Sequence, residues 1–479
     1  MTEALHMSYK DLDTTKQVFP YLLCVITFKT AIFLFELYLD FRQYKKFTET
    51  EMPKDIKSFV EQKFFNDSQS YNRDVKHFGI IKSVFYHVYE VVTLYFTFVA
   101  LVWESDYVLS YLGLDPNSEV YRAYFTFLCL YVISTVVGIP WSLYMNFVIK
   151  EKHGFNSMTL KIFVMDLIKS TLIVSVLILI LTPLIIKIIE YGGENFYIYL
   201  FVFIVILTFV MMWIVPNFIM PLFNKYDEIE EGELKKKIYQ LADDLKFPLK
   251  KLFVVDESMR STQSNAYFFG FGSNKRIVLF DNLLKHLETD EIVAVVGHEL
   301  GHWKLNHTIV NLVYGFASLF ITFYVFSFVI HRDDILIDFG FSRHYNIVSL
   351  LVFSEVFTPV DYIERLIQTS FTRVLEFQAD EFANDLGYKR DLMRGLIRLY
   401  IKNKANLNPD SLYAKYHFSH PELIERLRAL GDFQNVITPE EIKKGVEKAE
   451  DQQKEENQQK LTEDKVEDEA IDTDKLKND

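Results

Sequence analysis

The stretch Val293-Ala294-Val295-Val296-Gly297-His298-Glu299-Leu300-Gly301-His302-Trp303 decides how the rest of this chain is read. On a helix, residues four apart share a face, so His298 and His302 project side by side. Two neutral imidazoles so placed can hold Zn²⁺ at roughly 2.0–2.1 Å. Glu299 stands beside the pair, where its carboxylate can take a proton from an attacking water. The apolar run before His298 supplies the buried helix that such a motif needs. These are the parts of a zinc metalloprotease.

Zinc needs a third protein ligand. The pattern with a third histidine would place Gly at 305 and His at 308, but this chain has Leu305 and Thr308. A carboxylate remains, and Glu376 in Arg373-Val374-Leu375-Glu376-Phe377-Gln378-Ala379-Asp380 is the best candidate. Glu376 and Asp380 share a helical face, so one can bind the metal while the other orients a ligand histidine. Arg373 falls on nearly the same face. An ordinary charged helix turn is the plainer reading of this segment alone.

Of 479 residues, 50% are apolar and 16% aromatic, which with a positive mean hydropathy points to membrane helices. The net charge of −13 is uneven: Thr438–Asp479 holds 15 acidic and 8 basic residues and no aromatic one. Such a segment cannot bury a core and is expected to be a disordered acidic tail. No basic surface for nucleic acid is evident. Cys24 and Cys129 both lie in apolar runs, which predicts buried thiols and no disulfide framework. Polar residues run to Gln17, so no short signal peptide is expected. No internal repeat is evident.

Seven stretches are long and apolar enough to cross a bilayer, which takes about 20 residues each. They run over Val18–Leu39, Ser83–Trp103, Ala123–Ile149, Phe163–Ile186, Phe196–Leu222, Thr308–Ile330 and Tyr345–Thr369. The first contains Lys29 and Glu36, the second Glu90, and the seventh Glu355, Asp361, Glu364 and Arg365. Charges at that depth are costly and face a protein interior or water, so they predict a bundle around a polar cavity or isolated buried ion pairs.

Loop charges orient the bundle. The first connection is rich in lysine and arginine, Glu104–Tyr121 has none, Lys150–Lys161 has three lysines, and Ile189–Glu194 has none. By the positive-inside rule the N-terminus lies outside the cytosol, and the first, third and fifth connections lie within it. His298 and His302 precede the sixth span and Glu376 follows the seventh, so both halves of the metal site reach the cytosolic face.

The fifth connection, Asn224–His307, is a soluble insert. Leu252–Asp256 and Arg276–Phe280 read as short strands, with Gly270 and Gly272 between them. Ser264-Asn265-Ala266-Tyr267 lies in the same region. Such a sheet can hold a peptide substrate as an added strand, or only brace the helix. Beyond Glu376 the pattern is helical and amphipathic to Leu430. It includes His417-Phe418-Ser419-His420-Pro421 and Arg426, of which a histidine or arginine aimed at the attacked carbonyl would stabilise the developing oxyanion.

Together these residues resemble the type I CAAX prenyl proteases, integral-membrane zinc endopeptidases of the endoplasmic reticulum. The resemblance runs to about Asp432. It includes Tyr38–Tyr44, Glu151–Asn156, Asn265–Tyr267, Lys275–Asp281, His298–Lys304, Glu376–Asp380 and Ser419–Pro421. It implies one Zn²⁺ on His298, His302 and Glu376, with Glu299 as general base. It also implies substrate contacts at Asn265, Ala266 and Tyr267 and a role for His420 and Arg426 at the reacting carbonyl. Asp380 then lies behind the ligands as a partner of a ligand histidine; Arg373 is a further candidate partner there from its helical face, which the resemblance does not settle. The implied fold is an all-α polytopic membrane protein, with seven transmembrane helices around a polar chamber and a small α+β zincin-like cytosolic insert. The implied reaction removes the last three residues of a farnesylated C-a-a-X terminus, with a second upstream cleavage in some substrates. The implied location is the endoplasmic reticulum membrane, with the inner nuclear membrane as a second site.

The expected division is 1–223 for five membrane helices, 224–307 for the insert, 308–371 for two further helices, 372–432 for a helical C-terminal part of the protease, and 433–479 for the tail. The competing reading is a membrane quality-control factor that contacts translocon components. An intact Glu299 argues against a non-catalytic version, because metal binding alone needs no base.

Overall fold

The computed structural model describes residues 10–444 except 16, 271, 273, 435, 437 and 443. Most of the expected tail lies outside the described residues.

The membrane part begins with α1 (Tyr21–Lys46), α2 (Gln62–Tyr95), α3 (Phe98–Trp103), α4 (Asp106–Tyr111) and α5 (Glu119–Tyr144). It continues with α6 (Leu160–Gly192) and α7 (Phe196–Ile214). Among the described residues, five continuous helical segments pass as spans: Tyr21–Lys46, Glu119–Lys150, Leu160–Leu222, His307–Val329 and Asn346–Lys402. Gln62–Tyr95 with Phe98–Tyr111 makes a sixth when taken together, bent by 58°. That bend falls inside the expected Ser83–Trp103 span, at Thr97, whose φ is +47°. Leu160–Leu222 is a hairpin. A turn at Gly193–Asn195, with Gly193 at φ +53°, reverses the chain, and Lys169 Nζ reaches Leu222 O at 2.7 Å.

The insert carries β2 (Tyr226–Glu228), α8 (Glu233–Asp244), β3 (Leu249–Val255), β4 (Ala266–Phe269), β5 (Lys275–Phe280) and α9 (Asp281–His286), after a short β1 (Lys10–Asp11) near the N-terminus. The sheet order is β2-β3-β5-β4, with β3 and β5 parallel and both outer strands antiparallel to their neighbours. Its buried face packs on α8 and α10 (Thr289–Lys304) through Leu252, Ile277, Leu279, Ile238 and Val296. The strand pairing is more extensive than two apolar runs suggest, because β2 and β4 are short and β2 is largely acidic.

After α10 come α11 (His307–Val329), α12 (Asp333–Asp338), β6 (Arg343–His344) and α13 (Asn346–Ala383). They are followed by α14 (Lys389–Lys402), α15 (Ser411–His417) and α16 (Leu423–Leu430). The 38 residues of α13 extend about 57 Å, nearly twice a hydrocarbon core of about 30 Å. The helix therefore continues past the expected end of the seventh span at Thr369. It runs on unbroken to deliver Glu376 and Asp380.

Connections sort to two ends. At one end β1 pairs with β6, the Glu104 carboxylate accepts from Ser342 N, Arg122 is paired with Asp106, and Glu119 accepts from Ile347 N. At the other, Arg42 holds Asp410, Lys404 Nζ donates to His153 O, and Asn156 bridges Ser261. The basic connections thus meet the insert and the C-terminal helices. Cys24 and Cys129 are free, as expected, but Cys24 is exposed and Cys129 half-buried. Apolar residues on a membrane helix face lipid as readily as a core, so their setting does not bury them.

Candidate active site

Helix α10 opens with a capping box in which the Glu288 and Glu291 side chains each accept from the other residue's backbone N–H. Arg398 of α14 donates to both carboxylates, at 2.9 Å to Glu288 and 3.1 Å to Glu291. From Glu291 to His298 the helix is buried throughout. It crosses α13 closely because Gly301 has no side chain: a Cβ there would lie 3.0 Å and 3.2 Å from Phe382 and 3.3 Å from the Ala379 Cα. This approach brings residues 298 and 302 to residue 376, across more than seventy positions of sequence.

The three predicted ligands meet. His298 Nε2 and His302 Nε2 are 3.2 Å apart. Glu376 places its carboxylate oxygens 3.3 Å from His302 Nε2 and 3.5 Å from His298 Nε2. A tetrahedral ion with ligand bonds of roughly 2.0–2.1 Å has edges of about 3.3 Å, so the triangle fits. Glu376 Oε2 is buried and makes no hydrogen bond, although His420 Nδ1 lies 2.9 Å from it as an ion-pair partner. Burial opposes charge on His298, but the carboxylates of Asp380 and Glu376 override it and raise its pKa to about 9. The pocket thus calls for positive charge between its ligands, which suits a divalent cation.

The Glu299 carboxyl lies within electrostatic reach of His298, His302 and Glu376. Among the described residues no side chain pairs with its carboxylate, and burial pushes that carboxyl up while His298 and His302 pull it back. Asp380 Oδ1 lies 2.9 Å from His298 Nδ1. With the proton on Nδ1, the Nε2 lone pair is turned to the metal position.

The structure places Arg426 on Asp380, donating at 2.6 and 2.8 Å to its two oxygens, rather than toward the open side. Arg373 is likewise occupied, donating to Glu425 of α16 at 2.8 Å, and it touches neither histidine. His420 keeps an open position, with a side chain 62% exposed beside Glu376. Asn265 is exposed just before the edge strand β4, which lies alongside α10. Ala266 is buried, and the Tyr267 hydroxyl lies 3.3 Å from that of Tyr226. Sequence reading missed two residues at this site, His307 and Gln378, which contact His302 in series. The only signal was a histidine three residues past the end of the zinc helix.

A histidine pair and its intervening glutamate on one helix, completed by a carboxylate from a membrane helix, define a membrane-embedded metallopeptidase. Residues 228–434 match peptidase family M48, and residues 43–225 match the CAAX prenyl protease N-terminal model, which has five membrane helices. The chain belongs to peptidase family M48. It is 40% identical over 420 residues to the CAAX prenyl protease 1 homolog of Arabidopsis thaliana, covering 86% of this chain and 97% of that one. It is 36% identical over 431 residues to CAAX prenyl protease 1 of Saccharomyces cerevisiae, covering 86% and 95%. The crystal structure of S. mikatae Ste24p superposes with a TM-score of 0.81 at 36% identity, over 87% of this chain and all of that one.

Proposed function

We propose that this protein is a zinc endopeptidase that removes the last three residues of prenylated C-a-a-X proteins, with a second upstream cut in some substrates. The observation that carries the reading is the convergence of His298, His302 and Glu376 beside Glu299, which has no side-chain partner among the described residues. The names of the relatives supply the substrate class.

The ligand set would be His298, His302 and Glu376. Bound zinc supplies Lewis-acid chemistry, polarising the scissile carbonyl and acidifying water. Glu299 takes the proton of the attacking water and passes it to the departing amide nitrogen as the C–N bond breaks. This leaves a carboxylate on the prenylated cysteine and a free tripeptide. His420, on the open side, donates to the developing oxyanion. Arg426 acts through Asp380, holding the carboxylate that orients His298. The substrate lies along β4 near Asn265, Ala266 and Tyr267, adding a strand to the free edge of the sheet.

The α6–α7 hairpin and the bent α2–α3–α4 pair support seven spans. Charged groups that pair between membrane helices support a polar chamber: Lys29 lies 2.7 Å from Glu90 and 2.5 Å from Glu355, and Arg365 lies 2.9 Å from Glu36. Lysine and arginine bias supports a site that faces the cytosol, and the resemblance to the type I CAAX prenyl proteases supports the endoplasmic reticulum membrane. The domain boundaries are proposed as read from the sequence, with the insert at 224–307 and the tail at 433–479. Comparing farnesylated and unprenylated forms of one C-a-a-X peptide as substrates of the purified protein tests the reading. Equal turnover of the two would remove the prenyl group from it.

A further inference from the structure

We propose that His307 and Gln378 are positioning residues that fix the tautomer of His302 and so aim its Nε2 at the metal. The inference rests on His298, His302 and Glu376 being the ligands. His302 Nδ1 lies 2.9 Å from His307 Nδ1, and His307 Nε2 lies 3.1 Å from Gln378 Oε1. A ligand nitrogen must be bare, so the proton of neutral His302 sits on Nδ1. His307 Nδ1 then accepts that proton's hydrogen bond, His307 carries its own proton on Nε2, and Gln378 presents its carbonyl oxygen. Reversing the chain of bonds would put a proton on His302 Nε2, between two other ligand atoms.

The backbone is built to make this contact. Asn306 adopts the left-handed conformation at φ +59°, a region in which asparagine is enriched among non-glycine residues. That turn separates α10 from α11 and folds His307, the first residue of α11, back onto His302. His307 is only 3% exposed. Gln378 comes from α13. Both imidazoles of the site are therefore oriented from α13, His298 directly by a carboxylate and His302 through a neutral relay. The neutral relay adds no further carboxylate to a pocket that already holds Glu299, Glu376 and Asp380. It also makes the aim of His302 depend on how two membrane helices pack.

Zinc affinity of the full-length purified protein, measured by competition with a chromophoric chelator, tests this. His307→Leu should weaken zinc binding about 10–100-fold, the range for loss of such a partner. His307→Asn, whose amide oxygen can accept from His302, should recover most of that loss, and Gln378→Leu should show a smaller loss. Recovery by asparagine separates positioning from a packing role, because asparagine fills the space no better than leucine. Should His307→Leu fail to fold, Gln378→Leu decides alone. Wild-type zinc affinity in His307→Leu or Gln378→Leu, while His302→Ala loses the metal, overturns the relay and leaves the ligand reading standing. Retention of zinc by His302→Ala overturns both.

Discussion

Arg426 grips both oxygens of Asp380, at 2.6 and 2.8 Å, while Asp380 holds His298 Nδ1 at 2.9 Å. All three are buried. Removing the cation strands a carboxylate in a poorly solvated place, which costs about 3–5 kcal/mol. Arg426→Met should therefore lower the melting temperature by several degrees and weaken metal binding through His298. A variant with wild-type stability and wild-type metal content would show that the pair is dispensable.

Glu299→Gln should retain metal and lose activity by about 10²–10⁴-fold, the usual contribution of a general base. The amide keeps the shape and removes proton acceptance. His298→Ala, His302→Ala and Glu376→Ala should each lose metal instead. Elemental analysis separates the two groups. Full metal and activity in Glu376→Ala would pass the third-ligand role to Asp380; Glu364 lies twelve residues, about 18 Å, away along the same helix.

Gly301→Ala tests the helix crossing. The added methyl would press on Phe382 and on the α13 backbone at Ala379, and overpacking of this kind costs about 1–3 kcal/mol. Because the same crossing joins His302 to Glu376, metal affinity should fall with thermal stability. A stable variant that binds metal normally would mean the crossing has slack.

His286 predicts a pH dependence outside the metal pocket. Burial, helped by Lys402 and Lys285, pushes its pKa down to about 3, and Ser264 Oγ lies 2.5 Å from its Nδ1. The unfolded chain binds the proton at about pH 6.5, so this group's contribution to stability is complete above that pH. It is lost progressively as pH falls from about 6.5 toward 3, by about 2 kcal/mol at pH 5. His286→Gln should flatten the part of the thermal-stability profile between pH 7 and 5 that this group produces. An unchanged slope would assign the loss to other groups.

The site was legible in the sequence where chemistry imposes spacing. His298, Glu299 and His302 announce themselves by helical periodicity, and Glu376 with Asp380 by their shared face. What could not be read is how occupied each charge is. Arg373 and Arg426 look equally available in sequence, yet one is held by Glu425 and the other by Asp380. These pairings join helices far apart in the chain, and no local pattern encodes them. The membrane helices were legible from hydropathy, but their true ends were not. Polar residues continue α2 before Ser83 and α13 beyond Thr369 without any proline. The bend at Thr97 also carries no glycine or proline. His307 was passed over because its partner contacts depend on a single left-handed residue, Asn306.

The decisive measurement is the mass of the product formed when the zinc-loaded protein is incubated with a farnesylated C-a-a-X peptide. The account predicts a farnesylated product shortened by the three C-terminal residues, together with the free tripeptide, and neither from Glu299→Gln. An intact peptide after incubation with folded, zinc-loaded enzyme, or cleavage that proceeds undiminished in Glu299→Gln, would contradict it.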